Sequence, residues 1–215
     1  MRTWIKICAT TSVEDGLAAI AAGADALGFV FAPSKRRVTA EQARAIIRAL
    51  PAGIEYIGVF QDETAERIRE TVEHAGLTAV QLHGDETPQM IAAISEQGPR
   101  AARIGVIKSI VVKDDFQEKF SRLAQDHEGI DSMLLDSGGG SGRTFDWQAV
   151  RPLLSASGMR LIVAGGLTPA NVGEAIRTFS PWGVDVVSGV ERERGRKDPE
   201  KLKAFVAAVR RAEQS

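Results

Sequence analysis

Cysteine is nearly absent from this chain, because Cys8 is the only one among 215 residues. A single thiol excludes an internal disulfide framework and is typical of a protein in a reducing compartment. The N-terminal residues 1–6 lack the long apolar core and small-residue cleavage site of a secretory signal peptide. We therefore expect a cytoplasmic protein.

An excess of charge of one sign is also missing. The 27 Lys and Arg residues balance 28 Asp and Glu residues, so the net charge is -1. A nucleic-acid-binding or membrane-surface protein usually carries a basic excess. The apolar runs are all of strand length, far shorter than a membrane span. We expect neither a nucleic acid nor a membrane as a partner.

Metal-binding and nucleophile motifs are absent as well. The three histidines are dispersed along the sequence, and no second cysteine could complete a zinc site. The Gly-x-Ser-x-Gly motif that places a serine nucleophile in hydrolases does not occur. The sequence therefore predicts no metal site and no Ser-His-Asp triad.

The chain does contain a regular alternation of two patterns. Short β-branched runs that are apolar on both faces are typical of strands buried on both sides. They occupy residues 4–8, 26–31, 54–60, 79–83, 103–108, 132–136, 160–164 and 184–187. Segments with helical spacing of apolar residues lie at 13–22, 40–49, 65–75, 88–96, 115–124, 147–155, 169–178 and 199–211. Capping residues Thr39, Thr168 and Asp198 predict where three of these helices begin.

Eight strand–helix units in 215 residues predict an α/β fold, a single-domain (β/α)8 TIM barrel over residues 1–215. No Gly/Ser-rich linker or block of like charge divides the chain. An open doubly wound sheet alternates in the same way and remains a rival, because strand order cannot be read from one sequence.

In such a barrel the functional groups gather where strands end and the following loops begin. Cys8 ends strand one; a lone cysteine is more often a small buried hydrophobe, and action as a base would require a lowered pKa. Asp136 ends strand six before a glycine-rich loop, and burial there would favour the protonated form that a general acid needs. His83 ends strand four, where a turn residue and a donor to a carboxylate are equally good interpretations.

The loops add two further signals. Arg36 in loop two is either a solvated charge or a bidentate partner for an acidic substrate group. Small residues follow strands seven and eight, which is where barrels usually bind phosphate, and the glycine-rich loop after Asp136 adds more backbone donors. The sequence therefore predicts a ligand that carries phosphate.

A set of motifs, taken in order, resembles the phosphoribosylanthranilate isomerases of tryptophan biosynthesis. The resemblance runs from strand one to helix eight and covers essentially the whole chain. The motifs are Lys6-Ile7-Cys8, Ser34-x-Arg36, Val59-Phe60, Gln81-Leu82-His83-Gly84, Leu135-Asp136-Ser137, Gly140-Ser141-Gly142-Arg143-Thr144-Phe145-Asp146-Trp147, Ala164-Gly165-Gly166-Leu167-Thr168-Pro169-Ala170-Asn171-Val172 and Asp185-Val186-Val187-Ser188-Gly189-Val190-Glu191.

The resemblance implies a cofactor-free Amadori rearrangement of a small phosphosugar. N-(5′-phosphoribosyl)anthranilate would open its furanose ring and become 1-(2-carboxyphenylamino)-1-deoxyribulose 5-phosphate. The matching positions make Asp136 the general acid on the ring oxygen and Cys8 the general base on the sugar carbon beside the anomeric carbon. Arg36 would bind the anthranilate carboxylate, and His83 and Asp185 would line the site. Backbone groups near the following residues would hold the phosphate: Gly142, Gly165, Gly166, Ser188 and Gly189.

The sequence departs from the usual pattern of that family at a few positions. Ala9 follows Cys8 where glycine is usual, which narrows the backbone freedom of loop one. Ser141 replaces a usual threonine, Arg143 a usual lysine and Val187 a common serine. None of these positions is the expected acid or base.

Two other functions fit part of the pattern. The sister phosphosugar isomerase of histidine biosynthesis would carry an aspartate where Cys8 stands. A non-catalytic sensor of phosphate-bearing ligands would have no need of both an acid and a base. Because no helix presents an obviously apolar outer face, we expect a monomer, with a dimer as the alternative.

Overall fold

The computed structural model describes residues 2–95, 103–125, 127–138, 146, 147, 150, 151 and 158–214. Eight parallel strands pair in sequence order, and β1 closes the barrel against β8. They are β1 Trp4–Ile7, β2 Ala26–Val30, β3 Glu55–Phe60, β4 Ala79–Leu82, β5 Gly105–Val111, β6 Ser132–Asp136, β7 Arg160–Val163 and β8 Gly183–Val186. The closed strand order confirms the predicted barrel and excludes the open doubly wound sheet.

Helices pack around this barrel. The described part of the chain contains α1 Val13–Ala22, α2 Ala40–Arg48, α3 Ala65–Ala75, α4 Pro88–Ser95, α5 Phe116–Gln125, α6 Val172–Phe179 and α7 Pro199–Ala212. In the segment predicted as a helix at 147–155, Trp147, Val150 and Arg151 are helical, and the other residues lie outside the described ranges.

Two of the three predicted helix starts are confirmed. Thr39 forms a capping box with Gln42, and Asp198 caps α7 ahead of Pro199. The start at Thr168 is wrong, because α6 begins at Val172. The Thr168 carbonyl instead accepts from the backbone N–H groups of Asn171 and Val172, so a separate turn precedes the helix.

The chain after β8 forms a turn and a hairpin of its own. A 3₁₀ turn, Ser188–Val190, leads into a two-stranded antiparallel hairpin of β9 Glu191–Glu193 and β10 Arg196–Lys197. Glu191 and Lys197 pair across the open end of this hairpin, and both are buried. The hairpin therefore folds onto the barrel mouth.

Strand alternation divides the core into two layers. Outward side chains such as Ile5 and Ile7 pack between the sheet and the helices. Inward side chains form a separate apolar plug made of Trp4, Ala26, Ile57, Ala79, Ile107, Leu134, Ile162 and Ala164. The inward polar residues Lys6, Gln81 and Asp185 lie above this plug, toward the C-terminal ends of the strands.

Strand five runs to Val111, three residues past its predicted end at Lys108. Lys108 points away from the barrel interior, since its neighbour Ile107 belongs to the inner plug. Its ammonium pairs with Glu86 at 2.7 Å under the loop that follows β4. Among the described residues, no helix combines the length and the apolar character that crossing a membrane requires.

Candidate active site

Cys8 follows β1 directly and is only 4% exposed. Its sulfur lies so close to Gly28 of β2 that any side chain on Gly28 would collide with it. Burial raises the pKa of the Cys8 thiol, and the charge of Asp185 adds to this, while the ammonium groups of Lys6 and Lys197 oppose it without reversing it. The lowered pKa that a resting thiolate would need is therefore not found in this structure.

Asp185 lies on β8 beside Lys6 on β1, at paired positions in the sheet. The Lys6 ammonium lies 3.0 Å from Asp185 Oδ2, and both side chains are buried. Burial lowers the pKa of Lys6, but Asp185 and Cys8 outweigh it and hold the pKa above its usual value. Asp185 Oδ1 is buried with no hydrogen-bond donor among the described residues, so it remains available to a substrate hydroxyl at the barrel mouth.

Asp136 ends β6 and faces His83, which follows β4. Their Oδ2 and Nε2 atoms lie 3.3 Å apart. Burial raises the pKa of Asp136, but the hydrogen bond from His83, with those from the backbone N–H groups of Gly138 and Ser137, outweighs it and sets the pKa below its usual value. The expectation that burial favours the protonated form is wrong for this structure, because the sequence does not show that His83 lies opposite.

Arg36 lies at the barrel mouth, but its guanidinium is already engaged. Nε and Nη2 donate to the two carboxylate oxygens of Glu191 at 2.8 and 2.6 Å. Burial raises the pKa of Glu191, and Arg36, Lys197 and the backbone N–H of Gly195 outweigh this and lower it. The bidentate pair joins loop two to the hairpin after β8, and Nη1 has no acceptor among the residues that the structure describes.

Two buried side chains at this mouth were not assigned from the sequence. Lys197 donates to the carbonyl oxygen of Cys8 at 2.6 Å. Gln81 accepts from Lys6 at 2.7 Å and lies 3.3 Å from His83 Nδ1. Gln81 could have been assigned to the site from the sequence, because it lies two residues before His83 and so shares its face of the strand.

Glycines bring the loops after β6, β7 and β8 into contact. Gly165 and Gly166 have φ of 80° and 67°, and a side chain on Gly165 would overlap Ser137 of loop six. A Cβ on Gly189 would overlap the carbonyl oxygen of Leu167 in loop seven. Backbone donors of three loops therefore converge at one corner of the mouth.

These donors are available to an anion. The backbone N–H groups of Gly165, Gly166, Ser188 and Gly189 have no acceptor among the described residues. Gly142 lies outside the described residues, as do Ser141 and Arg143. Within the described ranges, no group of three or more His, Cys, Asp or Glu side chains could hold a metal ion.

The structure thus places Cys8, Arg36, His83, Asp136 and Asp185 at one end of the barrel. Cys8 and Asp136 follow strands three steps apart in the closed order β6, β7, β8, β1. A thiol on one side, a carboxylate on the other and an anion-binding corner between them suit acid–base chemistry on a phosphorylated sugar.

Comparisons with known proteins agree with this geometry. The family model described as N-(5′-phosphoribosyl)anthranilate (PRA) isomerase matches residues 5–208. An N-(5′-phosphoribosyl)anthranilate isomerase from Bacillus cereus is 45% identical over 207 residues, which cover 94% of this chain and 96% of that protein.

Solved structures give the same result. A phosphoribosylanthranilate isomerase in complex with reduced 1-(o-carboxyphenylamino)-1-deoxyribulose 5-phosphate has a TM-score of 0.83 and 37% identity, over 97% of this chain and 98% of that one. Monomers generated from the dimeric enzyme of Thermotoga maritima give a TM-score of 0.83 and 36% identity, over 97% and 98% of the two chains. The chain belongs to the N-(5′-phosphoribosyl)anthranilate isomerase family of tryptophan biosynthesis.

Proposed function

We propose that Cys8 and Asp136 are the two proton-transferring groups of the Amadori rearrangement that this isomerase performs. The observation that carries the proposal is their placement at one barrel mouth, on strands far enough apart to flank a sugar. N-(5′-phosphoribosyl)anthranilate is the substrate, and 1-(2-carboxyphenylamino)-1-deoxyribulose 5-phosphate is the product.

Asp136 acts first, as the general acid. It donates a proton to the ring oxygen of the furanose, the bond from that oxygen to the anomeric carbon breaks, and the nitrogen lone pair forms a Schiff base. The substrate brings a phosphate and a carboxylate, and nearby negative charge favours the protonated form of a carboxyl group. Substrate binding thus shifts the lowered pKa of Asp136 upward, toward protonation of the carboxyl group.

Cys8 acts second, as the general base. Its thiolate takes the proton from the sugar carbon beside the former anomeric carbon, which gives an enolamine, and the enolamine tautomerises to the ketone. The ammonium group of Lys6 favours the thiolate through charge and a hydrogen bond, and the charge of Lys197 acts in the same direction. These two cations oppose the effect of burial without reversing it, so the thiol is neutral at rest and must lose its proton before it acts as the base.

The remaining groups hold the substrate in place. Arg36 Nη1 binds the anthranilate carboxylate while Glu191 fixes the other edge of the guanidinium. The converging backbone N–H groups of Gly165, Gly166, Ser188 and Gly189, with Gly142, bind the phosphate. His83 supports Asp136, and Asp185 Oδ1 accepts a substrate hydroxyl.

Steady-state turnover tests these roles through the loss of anthranilate-type fluorescence from fresh substrate. Cys8→Ala and Asp136→Asn should each lower kcat by about 100-fold or more, because each removes a group that moves a proton. Cys8→Ala should unfold like the wild type at neutral pH. Near-wild-type kcat in either variant would contradict the assignment.

We also propose that the chain is a monomeric single domain of the cytoplasm, with a dimer as the alternative. Leu17 is the exposed large hydrophobic residue of the described surface, at 45% exposure, and one such side chain supports no extensive apolar interface. A reducing compartment suits a base that must remain a free thiol.

A further inference from the structure

Three hydrogen bonds connect the region of Cys8 with Asp136 across the barrel interior. Lys6 Nζ lies 2.7 Å from Gln81 Oε1. Gln81 Nε2 lies 3.3 Å from His83 Nδ1. His83 Nε2 then lies 3.3 Å from Asp136 Oδ2. Gln81 is thus the link between the buried ammonium group and the partner of the general acid.

The direction of each bond in this series is fixed by Lys6. An ammonium group can only donate, so the atom of Gln81 that faces it must be the carbonyl oxygen. The amide nitrogen of Gln81 is then the group that faces His83, and it also only donates. Lys6 is fully buried and Gln81 is 3% exposed, so water has little access to replace either bond.

The same logic determines the tautomer of His83. Nδ1 must offer its lone pair to the Gln81 amide, so a neutral imidazole carries its proton on Nε2. That N–H donates a hydrogen bond to the carboxylate of Asp136. An imidazolium would carry a second proton on Nδ1 that points at the N–H of Gln81. Two donors would then face each other in a buried place, which disfavours the charged ring.

We propose that Gln81 is a positioning residue that holds His83 as the neutral Nε2–H tautomer and so leaves the catalytic proton on Asp136. The inference rests on the proposed role of Asp136 as the acid. Without Gln81 the proton could settle on His83, and an imidazolium–carboxylate pair has no carboxylic acid proton to give to the ring oxygen.

The charges around His83 show why a neutral ring has to be maintained by a specific contact. Asp136 on β6 attracts a proton to the ring. Lys6 pairs with Asp185 across β1 and β8, and Lys108 of β5 pairs with Glu86 in the loop after β4. Lys113, after β5, lines the same cavity as His83. Asp62, in the loop after β3, is exposed and accepts from the backbone N–H of Asp85. Gln81 opposes protonation of His83 through a direct contact with Nδ1.

Nitrogen-15 NMR of the histidine rings in the full wild-type chain gives the first test, and it needs no variant that could fail to fold. The His83 signals are assigned by their loss in His83→Asn. We expect a neutral ring with the proton on Nε2 at the pH of maximal turnover. An Nδ1–H tautomer or an imidazolium at that pH would overturn the inference.

Gln81→Glu gives the second test, because a carboxylate keeps the bond to Lys6 but accepts a hydrogen bond from a protonated Nδ1 of His83. We expect an imidazolium in the NMR spectrum and a fall in kcat of about 100-fold, the usual contribution of a general acid. KM should change much less. In a His83→Asn background, where residue 83 cannot hold the proton, the same substitution should change kcat only a few-fold.

Two outcomes of the second test would overturn the inference: wild-type kcat in Gln81→Glu, or an equal loss of kcat in both backgrounds, which indicates a merely structural role. If the wild type fails to turn over the substrate, the proposed function fails instead. The tautomer measured by NMR remains a separate result in that event.

Discussion

Ala9 has a left-handed backbone, with φ of 61°, directly after Cys8. An L-residue with a Cβ is strained in that region, whereas glycine adopts it freely. The family resemblance in the sequence led us to expect glycine at this position. The chain thus keeps a strained residue next to its proposed base.

Ala9→Gly should raise the free energy of unfolding by about 1 kcal/mol, because relief of the left-handed strain exceeds the added entropy of the unfolded chain. Urea denaturation measures the change. Ala24→Gly is the matched control, because Ala24 is also buried and non-helical but has no positive φ. That control should lose about 0.5 kcal/mol or more. Equal losses in both variants would contradict the strain at Ala9.

The buried thiol of Cys8 should also affect how stability depends on pH. Its pKa in the folded protein is raised above 9.0 by burial, so the unfolded chain ionises at lower pH than the folded one. The stabilisation is therefore fully present below pH 9.0 and is lost as the pH rises through the folded pKa.

Cys8→Ala should remove this contribution. Urea denaturation at a series of pH values should show a steeper loss of unfolding free energy above pH 9.0 in the wild type than in the variant. Parallel curves for the two proteins would show that Cys8 does not titrate differently in the folded and unfolded chains.

At the scale of elements, the loops after β7 and β8 touch through Gly189. Its φ is not positive, so glycine is required there by space and not by backbone conformation. A Cβ would overlap the carbonyl oxygen of Leu167. The two loops whose backbone donors we propose to bind the phosphate are thus held together by the absence of a side chain.

Gly189→Ala should separate these loops, lower the free energy of unfolding by about 1–3 kcal/mol and raise KM more than it lowers kcat. Thermal unfolding and steady-state kinetics measure the two effects. Gly173→Ala is the control, because that glycine lies inside α6 with its nearest contact at 3.4 Å from the flexible end of Arg177. The control should gain about 0.5–1 kcal/mol. Unchanged KM in Gly189→Ala would argue against a phosphate site between the loops.

Element bounds followed well from sequence because strand and helix periodicity are local properties. The predicted helix start at Thr168 was wrong for a local reason too, since a turn and a helix start use the same residue types. The hairpin of β9 and β10 was not predicted, because its burial depends on Arg36, which lies 155 positions from Glu191. A sequence does not show which distant charge will meet a given carboxylate.

At the scale of the molecule, the closed barrel explains why the predicted site residues converge. Parallel strands deliver their C-terminal ends to the same face, so Cys8, His83, Asp136 and Asp185 had to meet once the barrel closed. The protonation states of the site residues could not be predicted from the sequence. Burial favours a higher pKa for Asp136, but His83 from beyond β4 outweighs it. The pKa of Cys8 rises because the closed barrel buries the thiol.

The order of the two proton transfers is the central claim, and trapping the Schiff base with cyanoborohydride tests it most directly. Reduction converts the ring-opened intermediate into a stable open-chain amine, which mass spectrometry quantifies against a reaction without enzyme. Cys8→Ala should open the ring and then stop, so the amine should accumulate. Asp136→Asn should give no more amine than the control without enzyme. Accumulation in Asp136→Asn and not in Cys8→Ala would contradict the account.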